Sequence, residues 1–292
     1  MAEARSGMGW WVAVLAWGCR ESSVAPQTFS DPLVGIMVTF DGEEEVLAEQ
    51  LRRMEEELYR ELEVESSDVV KRSLLPPALA NEDVDHLSPR PDRDVAQALA
   101  MALAYASPHD MERHAALPLL PDQRPLEPSS PDHYDREFLE GEACWGERTC
   151  LWLKTFQDLT KVYTLGIIPP ITYEFYKDFR WVDVSTEGEP RWVIAARSWN
   201  PGEYGSENGK NIIHQSYTVE LWFPRDGRGY VEDPPPEGDR GDSAGGGTLR
   251  LLSLWTETTL ASDPSETTEL GTIRWGMDGN MKAHDKWLAD HP

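Results

Sequence analysis

The sequence predicts an α+β fold: an antiparallel sheet with a C-terminal amphipathic helix packed across it, preceded by a loosely connected helical region. Three observations carry this. Aromatic and charged residues alternate with period two over 173–181, where Tyr173, Phe175, Phe179 and Trp181 share one face. Nine of the twelve tryptophans fall after residue 142, and bulky aromatics suit a half-buried pleated surface. The pattern then changes to helical spacing near the end, where Leu270, Ile273, Met277, His284 and Leu288 share a side.

The chain opens with Arg5 and the amino terminus against Glu3, followed by an unbroken apolar run of eleven residues, 8–18. A hydrocarbon core of about 30 Å takes about 20 residues in a helix. A weakly positive start, a short apolar centre and small residues at its end instead describe an export signal over 1–18. The ending Ala16-Trp17-Gly18-Cys19 resembles the lipobox of bacterial lipoproteins, with Trp17 standing where Ala or Ser is usual and Ala16 where Leu is usual. The resemblance implies cleavage before Cys19, acylation of Cys19 and a membrane partner reached through the N-terminal lipid (palmitate-type chains). Arg20 after the cysteine resembles lipoproteins bound for the outer membrane of Gram-negative bacteria. A secretory signal cut near Ala16 or Ala25, giving a secreted or periplasmic protein, is the alternative.

Residues 19–40 read as a tether, polar with two prolines in its first part. An acidic helical and Pro-rich region is expected over 41–142. Asp41 is placed to cap a helix in which Val46, Leu47, Leu51, Met54, Leu58 and Leu62 recur three or four apart. Asp92 or Asp94 opens a second, Ala-rich helix to about Ala106, with Val95, Leu99 and Leu103 on its face. Ser107-Pro108 announces a short third helix. The Pro-rich stretches 75–93 and 117–133 read as loops or partly disordered chain.

Of the three cysteines, lipidation accounts for Cys19. Cys144 and Cys150 are left as an even pair in an oxidising compartment, and a disulfide is expected. The bridge needs a turn, which Gly146 permits; metal binding would need a second cysteine pair or well-spaced histidines. The net charge of −25 repels phosphate backbones and anionic bilayer faces, so nucleic acid is excluded as a partner.

Residues 143–292 form the sheet-plus-helix domain. After 173–181, further strands are expected at 192–199, 212–223 and 249–260, with an acidic Pro- and Gly-rich loop between the last two. This order resembles the helix-grip fold of START-related lipid-binding domains, in which a curved sheet wraps a C-terminal helix around an apolar pocket. The resemblance implies a cavity of at least about 300 Å³, with Met277 at its border beside Tyr217 or Trp255. His214, Tyr217, Glu220, Trp255, Ile273, Met277 and His284 are the expected ligand-binding residues, His214 and Glu220 as polar anchors.

Gly241-Asp242-Ser243-Ala244-Gly245 fits Gly-x-Ser-x-Gly, but it follows a Pro-rich loop and precedes a strand, where a nucleophile elbow needs a strand-to-helix turn. His109 and His114, five apart, fall on different helix faces. The expected function is a non-catalytic envelope lipoprotein that binds an apolar small molecule or an envelope protein, with no cofactor or metal. An acidic scaffold of the cell envelope is the second reading, and a serine hydrolase using Ser243 the third. A Ser–His pair within about 3.2 Å would favour the hydrolase.

Overall fold

The computed structural model describes residues 27–28, 32–63, 71–162, 169–186, 191–225 and 247–292. The export segment, Cys19 and Ser243 lie outside them. Strand β1 (Gln27–Thr28) precedes helices α1 (Pro32–Thr39) and α2 (Glu44–Glu63). Next come β2 (Lys71–Leu75), the one-turn α3 (Asn81–Val84), β3 (Leu99–Ser107) and α4 (Met111–Ala116). Strands β4 (Tyr134–Glu140), β5 (Trp152–Lys161), β6 (Ile171–Asp183), β7 (Trp192–Trp199), β8 (Tyr204–Gly205), β9 (Ile212–Pro224) and β10 (Thr248–Thr259) follow, and α5 (Glu266–Asp290) closes the chain. The ten strands form one sheet in the order β1-β2-β3-β10-β9-β7-β6-β5-β4, with β8 on β9. Among the described strands only β1 and β2 pair in parallel.

Alternation sorts the sheet into two faces. Leu221 lies opposite Leu251 of β10 and Ala195 of β7, and Glu220 opposite Leu252 and Ala196. The Leu221 face carries Tyr217, Val219, Phe223 and Trp255 and is covered by α1 and α2 in one continuous core. Leu33, Ile36, Met37 and Phe40 of the first helix and its exit are fully buried there, as are Leu47, Leu51, Met54 and Leu58 of the second. Each such side chain stabilises the fold by roughly 1.5–3 kcal/mol. Polar staples fix the α1–α2 turn to the same face. Arg180 donates to the carbonyls of Phe40 (2.7 Å) and Gly42 (3.2 Å), and Arg197 to Asp41 (2.6 Å) and Asp178 (3.0 Å).

The opposite face is covered in two parts. α5 lays Met277 and Met281 on Met101 and Leu103. α4 and the loop around Trp145 cover Phe179, Trp181, Ile194 and Trp222. Trp145 is fully buried and its indole N–H donates to the Ala115 carbonyl at 2.9 Å.

The fold class stands, but the division at residue 143 does not. β2, β3 and β4 all come from the first half and are members of the same sheet. The expected tether contains α1, whose apolar side chains are sealed in the core. α2 begins at Glu44 and not at a cap by Asp41, because that carboxylate binds Arg197; Val46 is exposed. The expected helix over 92–106 is a short 3₁₀ turn, Val95–Gln97, followed by β3. Leu99, Met101, Leu103 and Tyr105 alternate with alanines, so the run satisfies period two as well as helical spacing. Pairing with β2 and β10 decides between them. A short helix does follow Ser107-Pro108, as α4.

Cys144 and Cys150 are bridged, with Cα atoms 5.4 Å apart. Gly141 (φ 88°) and Arg148 (φ 53°) carry the positive-φ positions of this loop, not Gly146. A Cβ at Gly141 would stand 1.9 Å from the Trp152 carbonyl oxygen, so only glycine fits. No helix among the described residues is long and apolar enough to cross a membrane.

Two outcomes follow from this packing. A disulfide closing so short a loop contributes about 2 kcal/mol, and Trp145 holds the loop independently. Non-reducing peptide mapping should recover one cross-linked peptide, and the reduced protein should keep its near-ultraviolet circular dichroism; loss of that signal contradicts the account. Gly271 lies within α5 with open space at its Cβ position. Gly271→Ala should therefore stabilise the protein by roughly 0.5–1 kcal/mol in urea unfolding.

Candidate functional site

The layer between the sheet and α5 is where the alternation of β10 breaks its own chemistry. Thr248, Arg250, Leu252 and Leu254 point the same way along this strand, so a lone arginine stands in an apolar row. Its cross-strand neighbour on β9 is Trp222, with the Arg250 Cζ 5.8 Å from the indole centroid. Two residues further along β9, Glu220 forms an ion pair with Lys177 of β6, both largely buried. A polar belt thus crosses the face between two apolar zones, one built on Met277 and Met281, the other on Phe179 and Trp181.

α5 supplies the other wall. Nη2 of Arg250 donates to Nδ1 of His284 at 3.0 Å, which places the imidazole proton on Nε2. Burial, then the Arg250 charge, hold His284 well below the ordinary histidine pKa. Burial also pushes the Arg250 guanidinium down, against the fields of Asp285 and Glu220. Asp285 is engaged elsewhere: it accepts from the Ser107 hydroxyl at 2.7 Å. Burial, with Asp285 beside it, pushes the Tyr105 phenol up to about 12.

Ser107 and His114 also come within hydrogen-bond distance, 2.9 Å from Oγ to Nε2. This geometry meets the distance test for a nucleophile and base but not the roles. Ser107 gives its proton to Asp285, so Nε2 of His114 donates to Oγ, and Nδ1 faces no acid. In a working triad the acid orients the histidine and the histidine takes the serine proton. Ser107 is also fully buried. The cluster therefore holds α5 to β3 and α4, helped by His109 Nε2 on the Asp285 carbonyl at 3.1 Å.

The structure brings Glu220, Ile273, Met277 and His284 to this layer. It removes three of the expected residues. Tyr217 and Trp255 lie on the Leu221 face, fully buried against the N-terminal helices, so the sheet stands between them and Met277 and the expected cavity cannot form there. The aromatic row marked a filled core, the commoner fate of tryptophans in strands. His214 sits at the far end of β9, bound to Glu203 (2.9 Å) and to Thr259 (2.8 Å). Thr259 is nine residues along β10 from Arg250, roughly 30 Å in a strand. Lys177 and Arg250 were missed. Their signal was parity: each is a charged residue on the sheet face opposite α1 and α2. A surface depression of about 290 Å³ lined by Asp122, Arg124, Asp132 and His133 lies outside this layer.

No protein-family model matches the chain, and no curated protein matches it. Among solved structures it is similar to a STAR-related lipid transfer protein fragment from Xanthomonas axonopodis, with 12% identity and a TM-score of 0.40, over 77% of this chain and 97% of that one. Ara h 8.0201 is 13% identical at a TM-score of 0.33, over 66% of this chain and 99% of that one. A protein from Arthrobacter aurescens is 14% identical at 0.28, over 68% and 91%.

The buried His114 and the half-buried His284 both contribute to the acid limb of stability. Their folded pKa values lie well below the ordinary 6.5, so below about pH 6.5 the unfolded chain takes up protons that the folded chain refuses. Stability should be full above that pH and fall below it, by up to about 1.4 kcal/mol per pH unit for each histidine. Urea unfolding at about pH 7.5 and 5.5 checks this, and His284→Gln should flatten the slope. Equal slopes in wild type and variant would contradict it.

Proposed function

We propose that this chain is a non-catalytic binding protein that takes an apolar ligand between α5 and the sheet, and that lipid on Cys19 anchors it to the outer membrane of the cell envelope. One observation carries the binding reading: a polar belt, buried at Arg250 and half-buried at Lys177, Glu220 and His284, inside an otherwise apolar layer. Ligand sites are mostly apolar walls with a few convergent polar groups that orient the ligand. A layer meant only to pack gains nothing from a charge left without full pairing, as Arg250 is, since burying charge costs free energy unless it is paired. On the opposite face, where α1 and α2 pack, Arg197 meets two carboxylates and Arg180 two carbonyls.

The anchoring reading rests on the sequence around Cys19. Native mass spectrometry of the protein isolated from its own membranes should show bound lipid that leaves on solvent extraction. Protein that carries none, and takes up none after extraction, would move the scaffold reading ahead. Cys19→Ala should shift the protein from the detergent-extracted fraction to the soluble one. A variant that stays with membranes after a high-salt wash would end the lipoprotein reading.

A further inference from the structure

The donors in the polar belt are not balanced by acceptors. Arg250 is 3% exposed, and its only hydrogen-bond partner among the described residues is the neutral His284. Nε and Nη1 of Arg250 and Nε1–H of Trp222 are buried and have no acceptor. Among the other arginines, Arg136, Arg180 and Arg197 each have one buried nitrogen, Nε, without a partner, against two in Arg250. The two carboxylates whose fields reach Arg250 are both occupied, Asp285 by Ser107 and Glu220 by Lys177. A buried guanidinium with two unmet nitrogens and no carboxylate in direct contact is a costly arrangement, even with those charges nearby. It persists where something else supplies the charge.

We propose that Arg250 and Trp222 receive the oxyanion head of an amphipathic ligand, a carboxylate or phosphate on an apolar chain. The inference rests on the binding reading above and names the ligand's chemistry. The head accepts from Nη1 or Nε of Arg250 and from the indole N–H, and its charge compensates the guanidinium. His284 fixes the guanidinium from the helix side through Nη2, so the remaining donors are oriented before the ligand arrives. The chain lies along the apolar side chains of the same layer, Leu252, Leu254 and Met277 on one side of the belt.

Calorimetric titration of the delipidated full-length protein with four probes tests this: decanoate, decyl phosphate, 1-decanol and inorganic phosphate. At least one of the two charged amphiphiles should bind about tenfold or more tightly than 1-decanol, since charge-assisted hydrogen bonds to a buried cation set that difference. Which one wins identifies the head. Arg250→Met should remove the preference while leaving 1-decanol binding in place. It should melt no lower than the ligand-free wild type, because the replaced charge is under-paired. Trp222→Phe, which deletes one donor and keeps a ring, should weaken the preference several-fold and serves if Arg250→Met does not fold. Equal binding of 1-decanol and both anions would overturn the inference and leave the binding reading standing. Inorganic phosphate binding as tightly as decyl phosphate would overturn the amphipathic requirement. Failure of all four probes would remove both readings.

Discussion

The β9–β10 pair is the constraint on which the rest of the fold depends. These strands pair from Thr248–Pro224 to Thr259–Ile212, with one register shift after Glu257, and they carry large side chains on both faces. Two-sided burial requires two covering layers. Helices α1 and α2 supply one and α5 with α4 the other, so elements from early and late in the chain cover opposite faces of one sheet. Neither half could fold as drawn without the other. β3, from the first half, pairs along its whole length with Thr248–Thr256 of β10.

The two layers solve different problems. Under α1 and α2 the interior is closed by Tyr217, Phe223 and Trp255, and its guanidinium groups are met by carboxylates and by the carbonyls of the α1–α2 turn. Those ion pairs tie distant segments together, which is a structural use of buried charge. Under α5 the guanidinium of Arg250 leans on one imidazole and one indole face. The same residue type in the same sheet has its charge paired by the chain in one layer and keeps two unmet nitrogens in the other.

Strand positions after residue 170 were legible because aromatic and charged residues alternate there without ambiguity. β3 was not, because a run of alternating large residues and alanines fits a helix face equally well, and only its pairing partners settle it. β5 was hidden by polar inward positions: Thr155 and Gln157 are fully buried between Leu153 and Leu159. The site was half legible. Met277 and His284 could be placed from helical spacing, whereas Tyr217 and Trp255 could not be assigned to a face until it was known that α1 and α2 cover that side. Arg250 could have been found by asking which strand positions share parity with the helix-facing leucines.

The central claim is that the α5 layer, unlike the α2 layer, is completed by a ligand. Amide hydrogen exchange of the protein as isolated and after solvent extraction tests it most directly, since local opening reports how well each layer is held. Extraction should speed exchange in α5 and in β10 around Arg250 while leaving α1 and α2 unchanged. Identical exchange in α5 before and after extraction would contradict the account.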